Sequence, residues 1–334
     1  MVIKRRCSCL DGSLLICFLQ FLFFAPGFIS SGEEGRERAL HSLDDFVNPD
    51  NKPLGFHDRL TEAILESSKF DVTYKDDLGE GPGKWDPDPR YPDEEVNCMT
   101  WLQYVLAEAY ATNDDEKLNV MDALRYYGGN VGFSLRKHYI DRWTKLEPGP
   151  LSLIESPGCK PNGTRNIDLQ LDHFVRKIGY SCPLYRMEAR RFSVKFMDRR
   201  RVLDCVNGIQ PGYYIMFAVA SRHYLEIYGG YSGPMAQVHG VILEISDSRA
   251  GNGEHNEVVV HHASTSNGQV VMISMNEYLK SMRKLHMGYT IYGLDPYWKF
   301  PQKSKLSTTD QKLITCEESL KGRLGKIFEK EDVE

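Results

Sequence analysis

The chain of 334 residues has a formal net charge of −5 at pH 7, with 41% hydrophobic and 26% charged residues. This composition predicts a globular protein with a sizeable core. The acidic balance argues against nucleic acid or an anionic lipid surface as the partner.

The first 32 residues have the layout of an export signal. Three basic residues at 4–6 precede an apolar run at 14–24, and small residues follow at 30–32. This arrangement predicts a signal peptide at 1–32 that is cleaved near Gly32. The run is shorter than the roughly 20 residues that a membrane-spanning helix needs, so an uncleaved anchor is the less favoured reading. We therefore expect an exported protein, periplasmic or extracellular, with no membrane association beyond the signal.

Cleavage would leave about 300 residues, enough for one large domain or two small ones. The leader carries a net charge of +2, so the remaining chain is slightly more acidic than the whole. Five cysteines would remain: Cys98, Cys159, Cys182, Cys205 and Cys316. In an oxidising compartment an odd number leaves one thiol unpaired. If that thiol is Cys98, the other four form two disulfides in one of three pairings, and the sequence does not choose among them.

The pattern along the chain mixes helices and strands. Residues 33–55 are charged and polar and predict a flexible arm. Helical periodicity predicts helices at 56–70 and 115–127. A glycine-rich loop at 78–85 lacks the Gly-Lys-Ser/Thr ending of a phosphate loop. Apolar runs bounded by turn residues predict strands at 213–219, 238–245 and 258–264.

A cysteine at the start of a helix is the central feature of the sequence. Turn residues at 86–92 are followed by Asn97, a suitable helix cap, and by an apolar stripe of helical spacing within 102–109. A thiol in the first helical turn feels the positive end of the backbone dipole, which favours its thiolate. Cys98 is therefore a candidate nucleophile. On this stretch alone, a buried or disulfide-bonded cysteine is the alternative.

Two of the predicted strands carry histidines that suit this cysteine. The polar loop at 247–256 predicts an antiparallel hairpin, and pairing symmetric about a centre at residue 250/251 would set His239 opposite His262. A nucleophilic cysteine needs a general base, and the base needs a third group that orients it. We predict His239 as the base and His262 as the orienting group, whereas His261 faces the other way and is structural or exposed. Zinc is disfavoured because no zinc-binding spacing is present.

Short motifs in a fixed order carry a family resemblance. The chain resembles the DUF1460, N-acetylmuramoyl-L-alanine amidase-like family of the NlpC/P60 (papain-like) cysteine peptidase superfamily. The resemblance covers about residues 70–295. The matching stretches are Leu78–Gly81, Asp86–Pro89, Asn97–Trp101, Leu124–Gly129, Arg136–Tyr139 with Asp141 and Trp143, Val238–Gly240, His262–Ser264, Gln269–Val271 and Tyr278–Leu279.

The resemblance implies an α+β fold with a papain-like NlpC/P60 core, in which the nucleophile helix packs on a central antiparallel sheet. The catalytic domain would span 56–300 and be followed by a polar tail at 301–334. The region 150–235 matches least, which predicts a family-specific insertion there. The family usually has aspartate where this chain has Asn97, and asparagine can also cap the helix.

The resemblance also implies the chemistry. It predicts hydrolysis of the N-acetylmuramoyl-L-alanine amide bond in peptidoglycan fragments by a triad of Cys98, His239 and His262, with no cofactor and no metal. Tyr74 is the candidate for a hydroxyl that assists the oxyanion. The residues predicted to bind the muropeptide substrate are Glu80, Tyr126, Arg136, His138 and Tyr139.

Two other functions compete with the amidase. One is a γ-D-glutamyl-diamino acid endopeptidase of the same superfamily. The other is a catalytically inactive module that binds the cell envelope, which the presence of all three triad residues argues against.

Overall fold

The computed structural model describes residues 55–69, 73–74, 95–132, 135–137, 149–154, 156–169, 190–224, 237–247, 256–264, 267–301, 303 and 305–316. All of these belong to one unit of the chain, Asn48–Glu334. The predicted signal peptide and, apart from Gly55, the predicted arm lie outside the described residues and stay predictions. Within the described ranges, none of the helices has the length and apolar character needed to cross a membrane.

Five helices and ten strands organise the described residues. The helices are α1 (Phe56–Lys69), α2 (Cys98–Tyr110), α3 (Asp114–Arg125), α4 (Arg199–Gly208) and α5 (Met275–Ser281). The strands are β1 (Thr73–Tyr74), β2 (Glu95–Val96), β3 (Leu151–Leu153), β4 (Gly163–Leu169), β5 (Arg190–Phe196), β6 (Gly212–Ala220), β7 (Gln237–Ser246), β8 (Glu257–Ser264), β9 (Gln269–Ser274) and β10 (His286–Leu294). Residues 308–316, within the predicted tail, are helical.

A six-stranded sheet forms the centre of the fold. Its strand order is β3-β10-β6-β7-β8-β9, and every neighbouring pair is antiparallel. The predicted mixed α+β architecture with a central antiparallel sheet is confirmed, as are the helix at 56–70 and the three strands. The middle strands read as nearly continuous apolar runs because both of their faces are covered by helices.

The two faces of the sheet carry different helices. On one face, residues of α1, α2 and α3 share a core with Phe217 and Ile242 of the sheet. On the other face, residues of α4 and α5 share a core with Met216 and Val241. Because side chains alternate along a strand, neighbouring residues of β7 point into different layers.

Gly240 is the point where the cysteine helix approaches the sheet. A Cβ atom at this position would lie 3.0 Å from Leu102 Cδ2 and 3.0 Å from Phe217 Cε1. The missing side chain therefore lets α2 pack closely against β7. Leu102 lies about one helical turn after Cys98, so this contact fixes the helix start relative to the strand that carries His239.

Part of the predicted insertion is held by a disulfide. Cys159, in a short 3-10 turn at Pro157–Cys159, is bonded to Cys205 of α4. Cys316 is also disulfide-bonded, to a partner outside the described residues. Cys98 keeps its thiol and is buried. The Cys159–Cys205 bond occurs in one of the three predicted pairings, and Cys182 lies outside the described residues. Strand β5 runs antiparallel to β4.

Candidate active site

Cys98 begins α2 directly after a complete helix cap. The Oδ1 atom of Asn97 accepts hydrogen bonds from the backbone N–H groups of Met99 and Thr100, both at 2.9 Å. The backbone N–H of Asn97 donates to Thr100 Oγ1 at 2.8 Å, which closes a capping box. The predicted cap is confirmed, and asparagine performs it because its carbonyl oxygen offers the acceptor that an aspartate would offer.

His239 and His262 lie side by side, as the sequence predicted, but in a shifted register. Their ring centroids are 5.4 Å apart with an interplanar angle of 76°. The hairpin pairs His261 with Ile242, so His262 falls next to Val241 and diagonal to His239. The prediction that the two histidines stand directly opposite each other is therefore wrong. The hairpin is centred between residues 251 and 252, the middle of the loop at 247–256, whereas the prediction used a centre at 250/251. Diagonal neighbours still lie within reach of ring side chains.

Two residues that the sequence reasoning missed complete this group. Tyr278 of α5 and His286 at the start of β10 form, with His239, a ring triangle with sides of 5.9, 6.1 and 6.2 Å. The His262 ring lies 5.4 Å from that of Tyr278. We call His239, His262, Tyr278 and His286 the histidine–tyrosine cluster. The sequence offered one indication of His286: it lies at the start of the apolar strand β10, much as His239 lies near the start of β7.

The cluster lies on the sheet face covered by α4 and α5. His239 pairs with Ala218, whose side chain belongs to that layer, whereas Gly240 faces α2. The register between β6 and β7 shifts next to His239, from Ala218–His239 to Val219–Gln237. Such a bulge re-aims side chains and is common beside active sites. His239 keeps partial exposure, while His262 and His286 are only 2% and 4% exposed.

Burial keeps the cluster uncharged near neutral pH. Desolvation lowers the pKa of His262 to about 4 and that of His286 to about 3. The pKa of His239 is also lowered, first by burial and then by the charges of His262 and His286. A neutral imidazole retains one unprotonated nitrogen and can act as a base.

Cys98 is electrostatically connected to the cluster through Tyr278. Burial raises the pKa of the Tyr278 hydroxyl well above its ordinary value, and the charges of Tyr289 and of a Cys98 thiolate raise it further. The hydroxyl is therefore protonated near neutral pH. The thiol acts on the same tyrosine that contacts both predicted histidines.

Buried polar atoms concentrate around the cluster. Within the described part of the chain, no hydrogen-bond partner reaches His239 Nε2, His262 Nδ1, His286 Nδ1, Tyr278 Oη or Tyr289 Oη. An unsatisfied buried polar group costs about 1–3 kcal/mol. Native proteins retain few such groups, and a catalytic role is one of the reasons for which they are retained.

The depressed histidine pKa values predict acid sensitivity. The folded-state pKa of His262 lies below the value near 6.5 of an unfolded histidine, so the unfolded chain binds the proton more readily. The neutral His262 therefore contributes to the free energy of unfolding above pH 6.5, and this contribution is lost as pH falls towards 4. For His262 alone, we expect the free energy of unfolding to drop by roughly 2–3 kcal/mol between pH 7 and pH 4.5. Urea unfolding at the two pH values measures this drop, and a His262→Gln variant should flatten it. If the free energy of unfolding of the variant falls by the same amount between the two pH values, other groups cause the acid sensitivity.

His261 points to the other face, as expected, and is buried. Its Nε2 lies 2.8 Å from Glu244 Oε2, and the residue is 2% exposed. It pairs with Ile242, which belongs to the layer of α2. His261 is thus separated from the histidine–tyrosine cluster by the sheet.

The predicted substrate-binding residues are described only in part. Tyr126 is buried, with 1% exposure, and forms an antiparallel bridge with the partly buried Arg136. The next residue, Lys137, donates from Nζ to carbonyls at the end of α3, and burial lowers its pKa to about 7. Glu80, His138 and Tyr139 lie outside the described residues.

The backbone of Tyr74 lies beside the segment that leads into the cysteine helix. Strand β1 runs parallel to β2, and Tyr74 pairs with Val96, two residues before Cys98. The side chain of Tyr74 is outside the described part. Among the described residues, no group of three or more His, Cys, Asp or Glu side chains is arranged to hold a metal ion.

The fold and the site together define an α+β protein with a capped, buried thiol and a histidine–tyrosine cluster. The model of the AmiA-like family, described as N-acetylmuramoyl-L-alanine amidase-like, matches residues 71–287. This match covers more than half of the sequence, so the chain belongs to the AmiA-like family.

Solved structures from two bacteria share the fold. A Legionella pneumophila protein of the DUF1460 family is 17% identical, covers 78% of this chain and 95% of its own, and has a TM-score of 0.56. Two structures of an N-acetylmuramoyl-L-alanine amidase from Bacteroides uniformis are also similar. One is 17% identical over 72% of this chain and 99% of its own with a TM-score of 0.51, and the other is 17% identical over 71% and 98% with a TM-score of 0.50. No curated protein sequence matches the chain significantly.

Proposed function

We propose that the protein is an exported cysteine amidase that hydrolyses the bond between N-acetylmuramic acid and L-alanine in peptidoglycan fragments. Membership in an amidase-like family supports the reaction class and a peptidoglycan-related substrate. The observation that carries the proposal is that Cys98 and both predicted histidines interact with the same residue, Tyr278. The charge of a Cys98 thiolate acts on this residue, and both predicted histidines contact its ring.

The proposed nucleophile is the thiolate of Cys98. It attacks the lactyl carbonyl carbon, a C–S bond forms, and the carbonyl oxygen becomes an oxyanion. The backbone N–H of Cys98, at the N-terminus of α2, is the proposed donor to the oxyanion. Tyr74 is the proposed second donor, and the pairing of its backbone with Val96 supports a place near Cys98.

His239 is the proposed acid and base. It first takes the thiol proton of Cys98 and then, as the C–N bond breaks, gives that proton to the departing amine of L-alanine. It then takes a proton from water, which attacks the thioester, releases the lactyl carboxylate and restores the thiol. A histidine that is neutral near pH 7 can perform the second step, and its lowered pKa supports this role. His262 is proposed to orient His239, which its ring contact supports.

We infer that the sheet and α2 correspond to the papain-like core of the NlpC/P60 superfamily. The seating of the cysteine helix on β7 at Gly240 supports this inference. Arg136 and the stretch that follows are the proposed binding surface for the muropeptide, where a guanidinium group suits its carboxylates. The buried Tyr126 would support Arg136 from the neighbouring backbone.

Export is supported by the sequence of residues 1–32 and by the cysteines. The Cys159–Cys205 disulfide, together with that of Cys316, is typical of proteins that reside in an oxidising compartment.

Product analysis tests the proposed reaction. Purified protein is incubated with muropeptides, with the Cys98→Ala variant as the negative control, and the products are identified by mass spectrometry. We expect a free peptide that begins with L-alanine and a sugar that ends in the lactyl carboxylate. A sugar that keeps L-Ala-D-Glu would establish the γ-D-glutamyl endopeptidase instead. Binding without any cleavage would favour the inactive envelope-binding module.

A further inference from the structure

Tyr278 is the residue on which the histidine–tyrosine cluster converges. It is fully buried, and its ring lies 5.4 Å from that of His262 and 6.2 Å from that of His239. A capping box fixes the helix that carries it. The Oγ atom of Ser274 accepts a hydrogen bond from the backbone N–H of Glu277, and the Glu277 carboxylate accepts from the backbone N–H of Ser274. Tyr278 is thus held rigidly next to both histidines.

The unsatisfied atoms of the cluster complement one another. His239 Nε2, Tyr278 Oη and His262 Nδ1 are all buried, and none has a hydrogen-bond partner in the described part of the chain. A tyrosine hydroxyl both accepts and donates, while a neutral imidazole carries one N–H and one unprotonated nitrogen. One chain of hydrogen bonds, from His239 Nε2–H to Tyr278 Oη and from the Tyr278 hydroxyl to His262 Nδ1, would therefore satisfy all three atoms.

We propose that Tyr278 is a positioning residue that bridges the two histidines: its hydroxyl accepts from Nε2–H of His239 and donates to Nδ1 of His262. This bridge leaves His239 Nδ1 as the unprotonated nitrogen that exchanges protons during the reaction. The inference rests on the proposed roles of Cys98 and His239. It assigns to Tyr278 the task of selecting the tautomer of the base, which the sequence reasoning gave to His262 alone.

The electrostatics of the surroundings are consistent with this bridge. The groups that face Tyr278 are His239 of β7, His262 of β8, and His286 and Tyr289 of β10, with Cys98 of α2 acting at longer range. Burial keeps the three histidines uncharged near pH 7 and keeps the hydroxyl protonated. Every member of the bridge is therefore in the protonation state that the hydrogen bonds require.

Tyr278→Phe removes the hydroxyl and keeps the ring, and Tyr289→Phe is its matched control. Tyr289 is also buried with an unsatisfied hydroxyl in the described part of the chain, and its ring contacts Tyr278 and His286. The tautomer of His239 is read from its imidazole nitrogen resonances by ¹⁵N NMR. The reactivity of Cys98 is read from the pH dependence of its alkylation by iodoacetamide. Both readouts work without any substrate, so they stand whether or not the protein cleaves muropeptides.

In the wild type and in Tyr289→Phe we expect one His239 tautomer, protonated at Nε2, and the same alkylation profile. In Tyr278→Phe we expect a mixture of His239 tautomers and a shifted pH dependence of Cys98 alkylation. Where amidase activity is present, we also expect about a tenfold lower kcat with little change in KM. A tautomer and an alkylation profile that are unchanged in Tyr278→Phe would overturn the proposal. A change of the same size in Tyr289→Phe would also overturn it, because the effect would then belong to packing.

Discussion

Cys98→Ala is expected to lower kcat/KM for muropeptide hydrolysis by at least about a thousandfold, the scale seen when a catalytic nucleophile is removed. Alanine lacks the sulfur that forms the covalent intermediate, and the helix cap on Asn97 does not involve that atom. The variant should therefore fold like the wild type. Kinetics with purified muropeptides, together with circular dichroism, measure both expectations.

His239 should show a loss of similar size, and the double variant shows whether the two residues act together. Residues that work as a unit have strongly non-additive effects. We therefore expect Cys98→Ala/His239→Ala to be no slower than the slower single variant. Additive losses would mean that His239 acts independently of the thiol, and another residue would then have to serve as the base.

His261→Gln provides the matched control for His239. His261 is also a buried strand histidine, but it lies on the other face of the sheet and contacts Glu244. Glutamine keeps a polar group towards that carboxylate. We expect its activity to remain within about threefold of the wild type. A loss comparable to that of His239→Ala would place the catalytic base on the α2 face of the sheet.

Removal of the Cys159–Cys205 disulfide is expected to cause a large decrease in the free energy of unfolding. The bond joins residues 46 positions apart, and the chain-entropy relation gives about 4 kcal/mol for a loop of this length. Both cysteines are buried, so alanine is the least disruptive replacement. Urea unfolding of Cys159→Ala/Cys205→Ala should show this loss in the free energy of unfolding.

The double variant is a cleaner test than a reducing agent, because Cys316 is disulfide-bonded as well. Cys205 lies in α4, whose buried residues share a layer with Tyr278. Loosening α4 should therefore also raise the rate at which Cys98 is alkylated. A loss of stability below about 1 kcal/mol would mean that packing alone holds α4 in place.

Local patterns were sufficient for the parts of the site that depend on neighbours in sequence. Asn97 before a helical apolar stripe predicted both the cap and the start of α2, because capping uses atoms within three residues. The period-two pattern of β7 and β8 predicted which histidines share a face, because alternation is a property of the strand itself.

Contacts between distant segments could not be obtained in this way. Strand alternation did not fix the partners in the hairpin, because a shift of two residues keeps each histidine on its face of the sheet while changing its cross-strand neighbour. His286 is 47 positions from His239 in the sequence, yet the order of the sheet brings their rings within 5.9 Å. Tyr278 reaches them from a short helix after β9, and no spacing within the sequence indicates that contact.

Residue type and short spacing were enough to predict the capped cysteine at a helix start, the two histidines on one face of the sheet and the family resemblance. The groups that surround His239 follow from the tertiary structure, because the sheet order and the placement of α5 join residues from four separate segments. The tertiary structure also showed that Gly240 seats α2 on the face away from those groups, while Cys98 still acts electrostatically on Tyr278. The cysteine that begins the helix is thus a local feature, and the environment that would make it a catalyst is a product of long-range packing.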